Sequence, residues 1–116
     1  MLKRLFLLFT LALLFLSPAL AAEEDWEFDP EYYFVTGYTG AEATVIMPDF
    51  LMNCPVEVLE SVLLCDRPEI ESLTLSGNLL DLRDGNIYNN ENLKTVLLPD
   101  SLIIIGENNF VYCTML

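Results

Sequence analysis

The chain contains no histidine in 116 residues. That removes the commonest general base and the commonest metal ligand near neutral pH, and with them every Ser-His or Cys-His nucleophile pair. Basic residues are almost as scarce, with five Lys and Arg against eighteen Asp and Glu, a formal charge of −13. Such a surface repels phosphate backbones and anionic lipid headgroups, which argues against nucleic-acid and membrane-surface binding; solubility accounts for the acidity. Cysteine is limited to Cys54, Cys65 and Cys113, whose wide and unequal spacings match no zinc pattern. A Cys54 to Cys65 bridge in an oxidising compartment and buried apolar thiols both fit, and the odd count favours reduced cysteines. Asn-x-Ser/Thr sequons are missing.

Long hydrophobic runs are missing too, except at the start. Lys3 and Arg4 precede an apolar stretch from Leu5 to Leu16, which breaks at Ser17-Pro18 and reaches Ala19-Leu20-Ala21-Ala22. Charged region, greasy core and small-residue cleavage site, in that order, predict a signal peptide over 1–21. Twelve residues before a helix-breaking Pro fall short of the roughly 20 that span a bilayer, so stable membrane insertion is not expected. The predicted localisation is secreted or cell-surface. Losing Lys3 and Arg4 takes the charge from −13 to −15 and makes the mean hydropathy of +0.42 misleading for the mature chain. About 95 residues make one domain.

What is present is a repeat. One constant shift along the chain brings Ile70 onto Leu93 and Leu116, Leu73 onto Val96, Leu75 onto Leu98, Leu79 onto Leu102, Leu82 onto Ile105 and Ile87 onto Phe110. One step earlier, Val56, Leu59 and Leu64 fall on the Leu79, Leu82 and Ile87 columns. Each unit has a pair two apart, which is strand periodicity, then a pair three apart, then a lone large residue. Each turn of such a chain has an apolar side that only its neighbours can cover, so the columns must stack.

The last unit, Leu93 to Leu116, resembles the BspA-like leucine-rich repeat, whose pattern runs L-x-x-I-x-I-P-x-S-[VL]-x-x-I-G-x-x-A-F-x-x-C-x-x-L. Val96, Leu98, Pro99, Ser101, Leu102, Ile105, Gly106, Phe110, Cys113 and Leu116 fall on it, and Asn109 replaces the usual alanine. Thr36-Gly37-Tyr38-Thr39-Gly40, Val45-Ile46-Met47-Pro48 and Asn53-Cys54-Pro55-Val56 resemble the entry segments of that family. The middle unit departs from it: Glu60 and Arg83 stand where glycine is preferred, Ser76 where proline is, Asn90 where cysteine is. The resemblance covers about residues 33–116. It implies a secreted or surface-associated, non-catalytic module that binds a protein or host surface, as in adhesion.

The expected fold is a β-rich leucine-rich-repeat solenoid of short strands in repeats of about 23 residues, with few or no helices. Residues 22–32 read as an acidic linker, 33–55 as an N-terminal hairpin cap in which Tyr33 to Tyr38 reverses at Gly40 and returns over Thr44 to Met47, and 56–116 as the repeats. Side chains alternating with the buried columns, Ser72, Thr74, Ser76, Thr95 and Leu97, should form a small exposed face on which a partner could bind. Carboxylate pairs such as Asp81 with Asp84 are expected by accident among eighteen acids, so no catalytic residue is assigned and no cofactor or metal is implied. Asp84-Gly85-Asn86 and Glu107-Asn108-Asn109, at the same place in successive units, fit turns better than calcium ligands. The last unit stops at Leu116, the first residue of what would be another, with no polar cap. That supports a different class of reading: a truncated piece of a longer repeat protein, or a structural piece that self-associates through its uncapped C-terminal repeat.

Overall fold

The computed structural model describes residues 23–116. The expected signal peptide over 1–21 lies outside them. From Trp26 onward the chain forms ten short strands and no helix. Strands β1 (Trp26–Asp29), β2 (Phe34–Tyr38), β6 (Val58–Leu59), β8 (Asp81–Leu82) and β10 (Ile104–Ile105) make one sheet in that order, here called sheet A. Strands β3 (Thr44–Ile46), β7 (Ser72–Thr74) and β9 (Thr95–Leu97) make sheet B, and β4 (Phe50–Leu51) with β5 (Cys54–Pro55) forms a small hairpin.

Apart from the β1–β2 and β4–β5 pairs, every pairing is parallel. A coil leaves sheet B, crosses to sheet A and returns one layer higher, and about three such turns stack into a β-solenoid. Leu73 pairs with Val96, Leu59 with Leu82 and Leu82 with Ile105, each one repeat apart in sequence. The step from Thr44 to its partner Ser72 is longer. The five extra residues of coil 1 are taken up by the β4–β5 hairpin, whose two turn residues Met52 and Asn53 both have positive φ, as a two-residue hairpin loop requires.

The core is the set of stacked columns. Val45, Leu73, Met47, Leu75, Val56, Leu79, Leu59, Leu82, Leu64, Ile87, Ile70 and Leu93 are all buried. Each buried leucine contributes about 1.5–3 kcal/mol of hydrophobic stabilisation. Turns between the strands place two left-handed residues in each coil at fixed register: Val62, Gly85 and Asn108 in one column, Asp66, Asn89 and Tyr112 in the other. The bend assigned to Asp84-Gly85-Asn86 and Glu107-Asn108-Asn109 is therefore real, with the Glu107 amide donating to Asp84 Oδ1 at 2.8 Å.

The cap differs from the expected hairpin. Tyr33 to Tyr38 and Thr44 to Met47 do not pair; β2 joins sheet A and β3 joins sheet B. Strand β2 pairs antiparallel with β1, inside the stretch read as a linker. The physical reason is the alternation Trp26, Glu27, Phe28, Asp29: Trp26 is buried at 7% exposure and its ring lies 4.3 Å from that of Tyr38, while Glu27 faces solvent. Acidic composition masked a two-residue period. Trp26 Nε1 has no hydrogen-bond partner among the described residues.

Candidate functional site

Sheet B's outward positions are Thr44 and Ile46 on β3, Ser72 and Thr74 on β7, Thr95 and Leu97 on β9, since the residues between them point into the core. Thr44, Thr95, Ile46 and Leu97 are exposed, the last two at 59% and 64%, and Ser72 and Thr74 are half-buried between them. Thr95 Oγ1 donates to Ser72 Oγ at 3.1 Å, tying neighbouring coils along this face. Four of the five residues expected there, Ser72, Thr74, Thr95 and Leu97, are on it.

Ser76 is not. It is fully buried, donates its hydroxyl to the Val56 carbonyl at 3.0 Å and accepts from the Asn78 amide at 3.1 Å. The strand ends at Thr74, so alternation stops before Ser76, and its side chain turns inward to stitch the corner where the neighbouring coils carry Pro48 and Pro99. Ile46 and Thr44 were not anticipated, because the hairpin insertion hides their register from a comparison at constant shift.

Next to this face lies an open groove of about 380 Å³ lined by Thr74, Leu75, Leu97, Leu98 and Pro99, with Asp49 and Asp100 at its edges. Asp49 is committed to the fold: its Oδ1 accepts from the Gly77 amide at 2.7 Å, and its carbonyl accepts from Asn78 Nδ2 at 2.9 Å. The face and groove floor carry no charge in a chain whose formal charge is −13.

The other side of the coils is polar but occupied. Asn86 accepts from the Leu63 amide at 3.0 Å and donates through Nδ2 to the carbonyls of Leu59 and Arg83; Asn109 accepts from the Asn86 amide at 2.8 Å and donates to those of Arg83 and Gly106. One column over, Asn90 Nδ2 donates to the Leu64 carbonyl and Cys113 Sγ to the Ile87 carbonyl, the equivalent atom one coil later. Asn90 thus replaces cysteine without breaking the ladder. These buried amides satisfy backbone groups that the turns leave unpaired.

Charged groups follow the same register. Glu60 and Arg83 form an ion pair at 2.9 Å, with Asp81 3.6 Å from the same guanidinium and the Phe34 ring beneath it at 4.4 Å. The hydrogen bond from Arg83 to Glu60 favours the charged guanidinium and raises its pKa further. Arg67 holds the cap, donating to the Tyr38 and Gly40 carbonyls, with its guanidinium 5.0 Å from the Tyr38 ring. Cys54, Cys65 and Cys113 are all free thiols; burial pushes the Cys65 pKa up, and Asp66 adds to it. Among the described residues, no three Cys, Asp or Glu side chains converge as a metal site requires.

The fold and this face define a small acidic β-solenoid with one uncharged lateral sheet surface. No family model matches the chain, and neither a curated protein nor a solved structure matches it.

Proposed function

We propose that the protein is a non-catalytic binding module, secreted or displayed at a cell surface, that holds a protein or surface ligand against the outer face of sheet B. The observation that carries this reading is the lateral face itself: Ile46 and Leu97 exposed at 59% and 64% across a row of hydroxyls, uncharged in a strongly acidic chain. Exposed aliphatic side chains rimmed by polar groups mark interaction surfaces, and repeat proteins bind along such faces. The likeness of the last unit to the BspA-like leucine-rich repeat supports the same reading by analogy, as does the leader expected at 1–21; fold alone does not fix function.

The test is a binding screen of the purified chain against extracellular-matrix proteins, cell-surface proteins and glycans. A specific partner whose affinity falls at least ~10-fold in Ile46→Glu and Thr74→Glu supports the reading. No binding across the panel, together with activity in a hydrolase assay, sinks it.

A further inference from the structure

Charge is divided unequally between the two sheets. The outer face of sheet B carries none, whereas the outer side of sheet A holds four carboxylates, Glu27, Asp29, Glu60 and Asp81, against one guanidinium, Arg83, a net −3. Val35, Leu59 and Leu82 are fully buried, so Phe34, Val58 and Asp81 before them point outward, and strand pairing sets those three in one row with Asp29. Tyr32, 58% exposed, flanks the row with its ring 6.0 Å from that of Phe34. Adjacent strands lie ~4.8 Å apart, so the row from Asp29 to Asp81 is about 14 Å long.

Arg83 shows which cation this face takes. Its guanidinium stands 4.4 Å from the Phe34 ring centroid, with Nη1 2.9 Å from Glu60 and Nε 3.6 Å from Asp81. A guanidinium suits such a place because its planar fork matches carboxylates while its weakly hydrated face stacks on a ring; an ammonium is a compact, strongly hydrated point charge. One strand over, Tyr32 and Asp29 offer the same two ingredients, and Glu27 joins them on β1 with its carboxylate over Gly37. Among the described residues, neither Glu27 nor Asp29 has an ion pair, and the other cations are engaged elsewhere: Arg67 with Glu69 and the cap carbonyls, Lys94 with Glu71.

We infer that the outer face of sheet A docks an extended, arginine-bearing segment of a partner protein, one guanidinium settling on the Tyr32 ring beside Asp29 and Glu27 while the segment crosses Val58 toward Asp81. Charge complementarity names the occupant: a face of net −3 attracts a basic segment and repels acidic peptides, phosphate backbones and anionic headgroups. None of these residues belongs to sheet B, so the inference stands apart from the binding face described above.

The probes are two capped peptides of equal length and charge, one alternating arginine with serine and the other lysine with serine, titrated into the chain and read by calorimetry and amide NMR shifts. The arginine peptide binds at least ~3-fold tighter than the lysine peptide, and its shifts concentrate on β1, β2, β6 and β8. Tyr32→Ala changes no charge and lowers that affinity at least ~3-fold with an unchanged circular-dichroism spectrum, whereas Ile46→Ser on sheet B leaves it unchanged. Should Tyr32→Ala fail to fold, two single-charge removals decide: Arg83→Gln, which releases Glu60 and Asp81, tightens binding at least ~3-fold more than Lys94→Gln, which takes the same charge from elsewhere. Equal affinity for the two peptides, shifts spread over carboxylates throughout the chain, or equal effects of the two removals would each overturn the inference, leaving only the general attraction of an acidic chain for cations.

Discussion

The backbone amide of Asn86 donates to Oδ1 of Asn109 across one coil at 2.8 Å, and Asn86 Oδ1 in turn accepts from the Leu63 amide in the coil before. This chain of side-chain amides runs through a region of zero to 2% exposure. Replacing Asn86 with alanine leaves the half-buried Leu63 amide without a partner, while the Leu59 carbonyl keeps the Arg83 amide and the Arg83 carbonyl keeps Asn109 Nδ2. Urea denaturation should show a loss of about 1–3 kcal/mol, and a loss under about 0.5 kcal/mol would mean that water takes over the ladder.

Val62 is a β-branched residue held at φ 63, in the column where the next coils use Gly85 and Asn108. Its side chain is 63% exposed, so little burial offsets the strain. Val62→Asn should stabilise the chain by about 1 kcal/mol, seen as a higher denaturation midpoint with an unchanged slope. The reverse change, Gly85→Val, should destabilise it by a similar amount or more.

Arg83 and Glu60 occupy a column that ends in Gly106, where an added Cβ would press on Asp84 and the Arg83 backbone. The pair is at least about a third exposed on both sides, so solvent screens it. Arg83→Ala should cost only about 0.5–1 kcal/mol, including the stacking on Phe34, and the cost should shrink in high salt.

Tyr38 provides a pH signature. Burial raises its pKa above 10.0, and the nearby Asp25 carboxylate adds to this while Arg67 opposes it. The folded state therefore favours the neutral phenol: its contribution to stability is complete below the ordinary tyrosine value and is lost as pH rises through the higher folded one. Stability should fall on the alkaline side beyond about pH 10, with a weaker fall in Tyr38→Phe; an equal fall in both would assign the effect elsewhere.

Much of the solenoid is legible in the sequence, because stacking demands identical columns and the chain supplies them. Leu73 with Val96 and Leu59 with Leu82 meet as the constant shift requires. The cap was not legible for two physical reasons. The β4–β5 insertion lengthens the step from Val45 to Leu73 and takes it out of the register that revealed the rest. The Trp26 to Asp29 strand alternates over only four residues, and its carboxylates look like a solvated linker. On the lateral face, alternation placed Thr74 and Leu97 correctly but could not show that Ser76 leaves the strand to bond Val56. The asparagine ladder was seen only as turn chemistry, since sequence spacing says nothing about whether a turn amide points outward or into the stack.

The stacking register is what every other statement about this molecule rests on, and cross-coil disulfide trapping tests it most directly. Ser72 and Thr95 are paired neighbours whose side-chain oxygens lie 3.1 Å apart. Adjacent strands place such Cα atoms within the span of about 4.4–6.8 Å that a disulfide bridges. Under mild oxidation, Ser72→Cys with Thr95→Cys should form that bond, identified by peptide mass spectrometry, and raise the denaturation midpoint. The displaced pair, Ser72→Cys with Leu97→Cys, should not. Efficient bonding of the displaced pair, or none of the in-register pair, would contradict the solenoid register described here.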